Sequence, residues 1–259
     1  MSWRTLTLPL LAAASLLAAG PGPLTELGFR PPADPVRATL PPAWRELRFE
    51  SRPRPTIYRV VGGASSAVLL AQSAGGASIL YTSLPPGTPG RELCWEWRVD
   101  HVPAGADLRR PETDDVGARV SVGFRYSPEL VPRGQRIRYA LARLRHGETP
   151  PYAGLVYVWT AAPASGTTFV HPNWPRLGVV VLHDAAEPLA SWRHECRDLE
   201  ADYRAIFGST PPEVSHVGVI TDADDTRSRA TGRYRNLTLG PLPSNGTTPS
   251  PPRKEANHP

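Results

Sequence analysis

The sequence predicts an all-β fold, a β-sandwich of jelly-roll type with one or two short helices. Two observations support this fold class. About ten segments of strand length alternate apolar with polar residues, and long returns separate many of them. Only two stretches have the spacing of an amphipathic helix. No internal repeat is visible, so the strands belong to one sandwich and not to a repeat array.

The two ends of the 259-residue chain are expected to lie outside this sandwich. Residues 1–20 combine Arg4, a Leu- and Ala-rich apolar run and small residues, as a secretory signal peptide does. A retained anchor is the alternative, although a bilayer span needs ~20 apolar residues. We assign residues 21–43 to a Pro-rich surface arm, 44–240 to the sandwich and 241–259 to a disordered tail. The expected protein is therefore exported, periplasmic or extracellular, with no transmembrane segment in the mature chain.

The net charge of +5 comes almost wholly from arginine, because Lys254 is the only lysine. The arginines alternate with apolar or acidic residues and form no block of like charge. Together with the export signal, this pattern argues against a nucleic-acid partner. The arginine-, alanine- and proline-rich composition is typical of a bacterial protein from a GC-rich genome. A basic exported protein is expected to be attracted to anionic glycans or to the envelope surface.

The first half of the sandwich contains the clearest strands. Residues 56–61 predict a strand, and residues 67–72 and 78–83, separated by Gly75-Gly76, predict a hairpin. Residues 93–99 alternate so that Leu93, Trp95, Trp97 and Val99 share one face. These indoles are expected in the core, with stacking on a sugar as the alternative. A long strand then begins at residue 116, after the pair Asp114-Asp115.

The second half contains both predicted helices. In residues 135–146, Ile137, Leu141 and Leu144 share one helical face, which we expect to lie across an edge of the sheet. Residues 200–207 predict a shorter helix that turns Tyr203 and its apolar neighbours inward and ends at a glycine. Strands are predicted between and around these helices, at residues 154–160, 177–183, 192–199 and 214–220.

An acidic loop after the last of these strands holds Asp222, Asp224 and Asp225. Three adjacent carboxylates repel one another, so water, arginine or a cation must compensate them. A calcium site built from these aspartates and backbone carbonyls is one hypothesis, although Arg227 and Arg233 break the EF-hand pattern. The other hypothesis is an internal network with arginine. The candidate arginines are Arg119, Arg193, Arg227 and Arg229. No other cofactor is predicted.

These features predict a ligand-binding protein whose site is the acidic edge, with a glycan or another envelope component as the ligand. Flat indoles would provide stacking surfaces. The predicted ligand-binding residues are Asp114, Asp115, Arg119, Trp159, Trp174, Asp222, Asp224 and Asp225. One alternative is a polysaccharide hydrolase that uses paired aspartates across a cleft. Another is a non-catalytic structural or interaction protein of the envelope. The common catalytic motifs are missing, so no catalytic residue is predicted.

The chain has two cysteines, Cys94 and Cys196, which both fall in predicted strands. In an exported protein they can form a disulfide. Two buried thiols are the alternative, and the sequence leaves the choice open.

Several motifs carry a resemblance to a known family. They are W-E-W-R-V at 95–99, D-D-V-G-A-R-V at 114–120, L-V-Y-V-W at 155–159, W-R-H-E-C-R-D-L-E-A-D-Y at 192–203, I-F-G-S-T-P-P at 206–212 and T-D-A-D-D-T at 221–226. In order and spacing the chain resembles the bacterial domain of unknown function 3047. The resemblance implies an exported β-sandwich similar in outline to carbohydrate-binding modules, and it supplies no activity. The chain departs from the family at Asp225, where Asn is frequent, and at Cys196, where a larger polar residue is common.

Overall fold

A computed structural model describes residues 24–29, 40–52, 54–63 and 66–242. The predicted signal peptide and nearly all of the predicted tail lie outside these residues. The described chain forms thirteen strands and two α-helices. They are β1 (Thr25–Glu26), β2 (Arg45–Arg48), β3 (Ile57–Val61), β4 (Val68–Ala74), β5 (Ser78–Ser83), β6 (Glu92–His101), β7 (Val116–Phe124), α1 (Arg133–His146), β8 (Ala153–Trp159), β9 (Thr168–Val170), β10 (Leu177–His183), β11 (Arg193–Asp198), α2 (Leu199–Phe207), β12 (Val214–Asp222) and β13 (Arg229–Gly240).

The strands form two sheets that pack face to face, which confirms the predicted β-sandwich. The first sheet has the order β11-β6-β13-β4-β3, with β1 beside β13, and the second has the order β2-β5-β12-β7-β8-β10-β9. β8 and β10 run parallel, and the other described pairs are antiparallel. From β4 to β7 each successive strand changes sheet, as strands do in a jelly roll.

This change of sheet overturns the predicted hairpin at Gly75-Gly76. β4 pairs with β3 and β13, whereas β5 pairs with β2 and β12. The glycine pair carries the chain across the end of the sandwich instead. Gly75 has φ +66°, and a side chain on Gly76 would lie 2.5 Å from the carbonyl oxygen of Arg54. Glycine is therefore required at this turn so that the chain can cross tightly between the sheets. A hairpin turn favours glycine as well, because glycine adopts positive φ, and this is why the sequence predicted a hairpin.

The core lies between the two sheets and is rich in aromatic residues. Trp95 and Trp97 of β6 are completely buried, as the alternation predicted, and they face Tyr157 and Trp159 of β8. The ring centroids of Trp95 and Tyr157 lie 5.2 Å apart, and those of Trp97 and Trp159 lie 6.0 Å apart. Their burial supplies a large part of the apolar area that holds the sheets together.

The N-terminal arm is less separate from the sandwich than predicted. Thr25–Glu26 pairs with the end of β13, and the Leu27 amide donates to the Leu237 carbonyl oxygen at 2.8 Å. Leu27 and Phe29 are buried, and Phe29 packs on Trp44 with ring centroids 4.8 Å apart. Residues 24–29 thus belong to the folded domain because two large apolar side chains gain burial there.

Cys94 and Cys196 form a disulfide with an S–S distance of 2.04 Å. The bond joins β6 to β11, which are neighbours in the first sheet and have these two residues in register. The sequence left open whether these cysteines are bonded or are two buried thiols, and in the structure they are bonded.

The two helices differ in how they meet the sandwich. α2 is capped by the Asp198 carboxylate, which accepts from the Glu200 and Ala201 amides, and it buries Leu199 and Tyr203. α1 begins and ends close to its predicted limits, but its apolar face does not cover a sheet edge as predicted. Instead Ile137, Leu141 and Leu144 are exposed to solvent by 64%, 59% and 83%. Neither described helix has the length and apolar character that a membrane span requires.

Candidate functional site

The two acidic loops meet at one end of the second sheet. We call this cluster the acidic rim; it consists of Asp114, Asp115, Asp222, Asp224 and Asp225. The loops meet because β7 and β12 are antiparallel neighbours, so the start of one lies beside the end of the other. In the register, Asp222 lies opposite Val116, two residues after Asp114. The sequence showed both loops, and only the strand pairing brings them together.

Asp115 and Asp222 are buried and bonded to the backbone of the opposite loop. The Asp115 carboxylate accepts from the Asp225 amide at 3.2 Å, and from the Thr226 amide and hydroxyl at 2.6 Å and 2.5 Å. The Asp222 carboxylate accepts from the Val116 amide at 2.8 Å. Burial, together with the nearby charges of the rim, raises the pKa of Asp222 well above its ordinary value. Both carboxylates hold the loops in place.

Asp114 lies between two cationic or polar partners. One oxygen accepts from Arg119 at 3.0 Å, and the other lies 2.8 Å from Nε2 of the buried His171. His171 Nδ1 accepts from the Asn173 amide at 3.2 Å, so Nε2 carries the proton and donates to Asp114. Burial alone would raise the pKa of Asp114, but the Arg119 charge and the His171 bond outweigh burial, and the pKa is lowered.

Arg52 neutralises the remaining two carboxylates of the rim. Its guanidinium forms an ion pair with Asp224, and it donates to Asp225 at 2.8 Å. Burial and the neighbouring Asp225 charge still raise the pKa of Asp224. Of the four predicted arginines, Arg119 binds a rim carboxylate. Within the described residues no ion pair links the rim to Arg193, Arg227 or Arg229. Arg52 was not predicted, because it lies 172 positions before Asp224 in a segment without a motif.

The geometry favours the internal network over the predicted open ligand site. The sequence predicted carboxylates that remain available to an outside ligand, but the structure bonds all five to arginine, histidine or backbone amides. For calcium, one oxygen each of Asp115, Asp222 and Asp224 lies within 4.8 Å of the others, so the structure groups Asp115 where we expected Asp225. Since all three carboxylates already contact protein groups, Asp224 through its ion pair with Arg52, the calcium site stays a prediction.

The two predicted stacking residues, Trp159 and Trp174, differ in their exposure. Trp159 is fully buried against Trp97 and His183, so the prediction that it stacks on a sugar is wrong. Every residue of β8 is buried, and Trp159 lies on the face that packs against β6. Trp174 is 63% exposed in the loop that follows His171. A ligand contact at Trp174 stays a prediction.

A different cluster lies on the outer face of the second sheet. We call it the arginine pocket; it has a volume of about 280 Å³ and is open to solvent. β5 and β12 pair so that Ser83 lies opposite His216, and the segment after α1 brings Glu148 over both. The polar residues that line the pocket are Ser83, Arg125, Arg143, Glu148, Thr149, Ser215 and His216.

His216 contributes its imidazole ring to this pocket. Nδ1 lies 2.8 Å from Ser215 Oγ, which itself lies 3.1 Å from the Gly123 carbonyl oxygen. Nε2 lies 3.6 Å from the Glu148 carboxylate. Burial lowers the pKa of His216 and outweighs the attraction of Glu148, so the neutral ring is favoured near neutral pH.

Glu148 is held as a carboxylate by the second sheet. It accepts from the Ser83 hydroxyl at 2.6 Å and, through its other oxygen, from the Tyr81 hydroxyl. Burial would raise the pKa of Glu148, but these bonds and His216 outweigh it and lower the pKa. Burial and the bond to Glu148 raise the pKa of Tyr81 to about 12, so the phenol keeps its proton.

Arginines surround this polar floor. Arg125 donates to Glu213 at 3.0 Å and to the Leu84 carbonyl oxygen at 3.0 Å, so it is held in place. Arg45 lies 3.7 Å from Glu148 and is mostly exposed. Arg143 projects from α1 into the pocket wall, and no ion pair in the described part of the chain engages it. The pocket thus has more positive than negative charge.

Sequence reasoning missed this cluster, although it recognised the strands that carry it. The outward positions of β5 show a weak signal, since Tyr81 and Ser83 are polar where Ile79 is apolar. His216 belongs to no motif in the sequence that would single it out. Arg143 lies in α1 and Glu148 lies just after it, and both are about 65 residues from β5 and from β12 in the sequence. No spacing rule joins segments at that separation, so pairing of the strands was needed to find the pocket.

Comparisons with known proteins support the family and add little about activity. The model of a family described as "Protein of unknown function (DUF3047)" matches residues 42–238, which confirms the resemblance in the motifs. No curated protein matches the chain significantly. The solved structures that match include the enzymatically active domain of bacteriophage CBA120 tailspike protein 4, with 6% identity and a TM-score of 0.35. That match covers 77% of this chain and 20% of the tailspike chain, and a likeness at this level carries no functional argument.

Proposed function

The chain belongs to the DUF3047 family, and we propose that it is an exported β-sandwich protein that binds an acidic glycan in the arginine pocket. An envelope component with the same chemistry, hydroxyls beside a carboxylate or similar anion, is included in this proposal. The observation that carries it is that Arg143, which has no ion pair among the described residues, lines one open pocket with His216 and the fixed Glu148 carboxylate.

These groups complement an acidic sugar. Sugar hydroxyls donate to carboxylates and to neutral imidazole nitrogen, which Glu148 and His216 provide side by side. A sugar carboxylate accepts from guanidinium in the bidentate geometry that arginine favours, and Arg143 is available for that contact. A neutral sugar would contact only Glu148 and His216 and would not use Arg143. The pocket should therefore prefer acidic over neutral glycans.

Two further observations support export. The first 20 residues have the composition of a signal peptide, and the two cysteines are joined in a disulfide. Stable disulfides are typical of oxidising compartments and rare in the reducing cytosol. Fractionation of cells that express the full chain provides the test. A mature protein that begins after the apolar run and lies outside the cytosol supports export, and an unprocessed cytosolic protein contradicts it.

Binding is tested with a panel of acidic and neutral oligosaccharides and the change in melting temperature that each produces. Ligand that binds the folded state raises the melting temperature by mass action. The test variant is Arg143→Gln, which removes the available guanidinium from an exposed helix position. The matched control is Arg138→Gln, on the same helix but not in the pocket wall.

We expect acidic oligosaccharides to stabilise the wild type and the control, and to stabilise Arg143→Gln much less. A response to neutral glycans alone would contradict the proposed chemistry. An equal response of Arg143→Gln and the control would show that the ligand binds elsewhere. If no member of the panel stabilises the wild type, the proposal fails, and a structural or interaction role in the envelope is the remaining hypothesis.

The geometry of His216 favours cleavage of the bound glycan as a second candidate. In the neutral tautomer that carries its proton on Nδ1, the imidazole can remove the proton next to a uronate carboxylate with Nε2, while arginine neutralises that carboxylate. The electron pair of the broken C–H bond forms a C=C bond as the adjacent C–O bond breaks. The leaving oxygen keeps the electron pair of the broken C–O bond and takes a proton from solvent in the open pocket. Water is not the nucleophile in this elimination, unlike in the predicted hydrolysis by aspartates, whose carboxylates are engaged in the rim.

Elimination is tested by the ultraviolet absorbance of the unsaturated product after incubation with acidic polysaccharides. His216→Gln should lose product formation and retain binding, because glutamine has no basic nitrogen. Binding without product in the wild type excludes this second candidate and leaves the first intact. Product formation that His216→Gln retains would exclude His216 as the base.

A further inference from the structure

An exposed surface on α1 has no role in the pocket or the rim. The helix has five arginines, Arg133, Arg136, Arg138, Arg143 and Arg145, and no acidic residue among its 14 positions. It also exposes three large aliphatic side chains, of Ile137, Leu141 and Leu144. Exposed aliphatic residues in a contiguous group generally mark an interaction surface.

The helix is fixed to the protein by its opposite side. The Tyr139 ring stacks on Tyr126 with centroids 4.0 Å apart, and Arg176 donates to the Tyr139 hydroxyl at 3.4 Å. Arg176 also donates to the Gln135 side chain at 3.3 Å. At 3.6 residues per turn, Gln135 and Tyr139 lie on the side opposite Leu141. The aliphatic side chains therefore project away from the sandwich.

Four of the five arginines lie beside this aliphatic stripe. The three aliphatic side chains span an arc of about 60°, and these arginines follow on both sides at roughly 50–110° from its centre. Arg138 and Arg145 lie on one side, and Arg133 and Arg136 lie on the other. Arg143, at about 130°, lines the arginine pocket instead. An interfacial helix has this distribution, with aliphatic residues in the acyl layer and cations at the level of the headgroups.

We propose that α1 binds the surface of a bilayer that contains anionic lipid, with Ile137, Leu141 and Leu144 inserted between the headgroups. Charge complementarity selects this occupant, because the helix has five arginines and no acidic residue and the headgroups are anionic. Among the described residues only Arg145 of these arginines forms an ion pair, with Glu50. A nucleic acid would leave the three aliphatic side chains in water. A second copy of the chain would bring five more arginines against these five, and one helical stripe is much smaller than the roughly 800 Å² per partner of a stable interface.

The experiment measures sedimentation of the full chain with vesicles of phosphatidylcholine alone and with vesicles that also contain phosphatidylglycerol. The test variant combines Ile137→Gln, Leu141→Gln and Leu144→Gln, because glutamine favours helix and the three positions are exposed. The matched control combines Ile57→Gln, Val61→Gln and Leu189→Gln, which removes exposed aliphatic side chains elsewhere. All three proteins share the same N-terminus, so any binding by residues 1–20 persists in each.

We expect the wild type and the control to bind vesicles with phosphatidylglycerol, and the α1 variant to bind at least about tenfold less. Arg138→Gln, which does not line the pocket, should weaken binding about fivefold. Added salt should weaken it further. Failure of the wild type to bind, or equal binding by the α1 variant, overturns the proposal. Equal binding to phosphatidylcholine alone overturns the requirement for anionic lipid.

A second measurement locates the contact. Both native cysteines are in the disulfide, so Leu141→Cys introduces one free thiol for an environment-sensitive fluorophore. The emission should shift to the blue on vesicles with phosphatidylglycerol, and the same label at Ile57→Cys should not respond. Sedimentation velocity tests the other occupants. A dimer that the α1 variant abolishes, or a complex with DNA in place of vesicle binding, would assign the surface to that partner and overturn the proposal.

Discussion

The acidic rim and the arginine pocket lie on the same sheet, and they use their charges in opposite ways. In the rim, each carboxylate is bonded to an arginine, a histidine or a backbone amide of the protein. In the pocket, the Arg143 guanidinium has no ion-pair partner among the described residues. Charges that satisfy one another stabilise a loop, whereas charges that lack partners are available for a ligand. The comparison teaches that a concentration of charge in a sequence does not locate a binding site.

The largest effect is expected for Asp115→Ala in the rim. This change leaves the Asp225 and Thr226 amides and the Thr226 hydroxyl without their acceptor in a buried place. Unfolding free energy, measured by chemical denaturation, should fall by about 3 kcal/mol or more. Asp184→Ala is the control, because Asp184 also accepts two backbone amides but near the surface. A loss no larger than the control's would mean that the rim does not hold the loops.

A smaller loss, about 2 kcal/mol at neutral pH, is expected for Asp114→Asn. The pKa of Asp114 is lowered in the fold, so the carboxylate contributes stability above its unfolded value of 3.8, and the contribution is lost as pH falls through the folded value. The stabilities of wild type and variant should therefore converge in acid. Parallel stability curves from neutral pH down to below pH 3.8 would contradict the ion pair with Arg119.

Asp222→Asn should change the pH dependence of stability in the opposite direction to Asp114→Asn. The pKa of Asp222 is raised by burial, so its stabilising contribution is complete below 3.8 and is lost as pH rises through the folded value. Asparagine keeps an oxygen for the Val116 amide and carries no charge. Above neutral pH the variant should equal or exceed the wild type, by about 1 kcal/mol. Thermal unfolding across pH measures this. A variant less stable than wild type at high pH would show that the rim needs the charge.

The smallest effect on stability is expected in the pocket, for Arg143→Gln. The side chain is exposed and no described ion pair holds it, so unfolding free energy should change by less than about 0.5 kcal/mol. Affinity for an acidic oligosaccharide should nevertheless fall about tenfold. Calorimetric titration and denaturation of the same preparation separate the two quantities. A loss of stability without a loss of affinity would mean that Arg143 stabilises the fold, as the rim residues do, and does not bind the ligand.

Much of the local structure was predictable because burial on one face leaves a pattern in the sequence. Alternation located β6 and β8, and helical spacing located α1 and α2 within a few residues. The same patterns could not say what an apolar face meets. α2 turns its face into the core, whereas α1, with an equally regular stripe, turns it to solvent. Only the contacts of each helix distinguish these outcomes.

By itself, the sequence determined the fold class, most strand limits, the acidic loops and the family, since these depend on residues close together in the chain. The tertiary structure decided which sheet each strand joins, and thereby everything that depends on distant residues. It brought Arg52 to Asp224 and Glu148 to His216, and it took Trp159 into the core. The physical reason is that strand pairing is set by the summed burial of two sheets. A local sequence pattern contains no information about this total burial, because it comes from residues far apart in the chain.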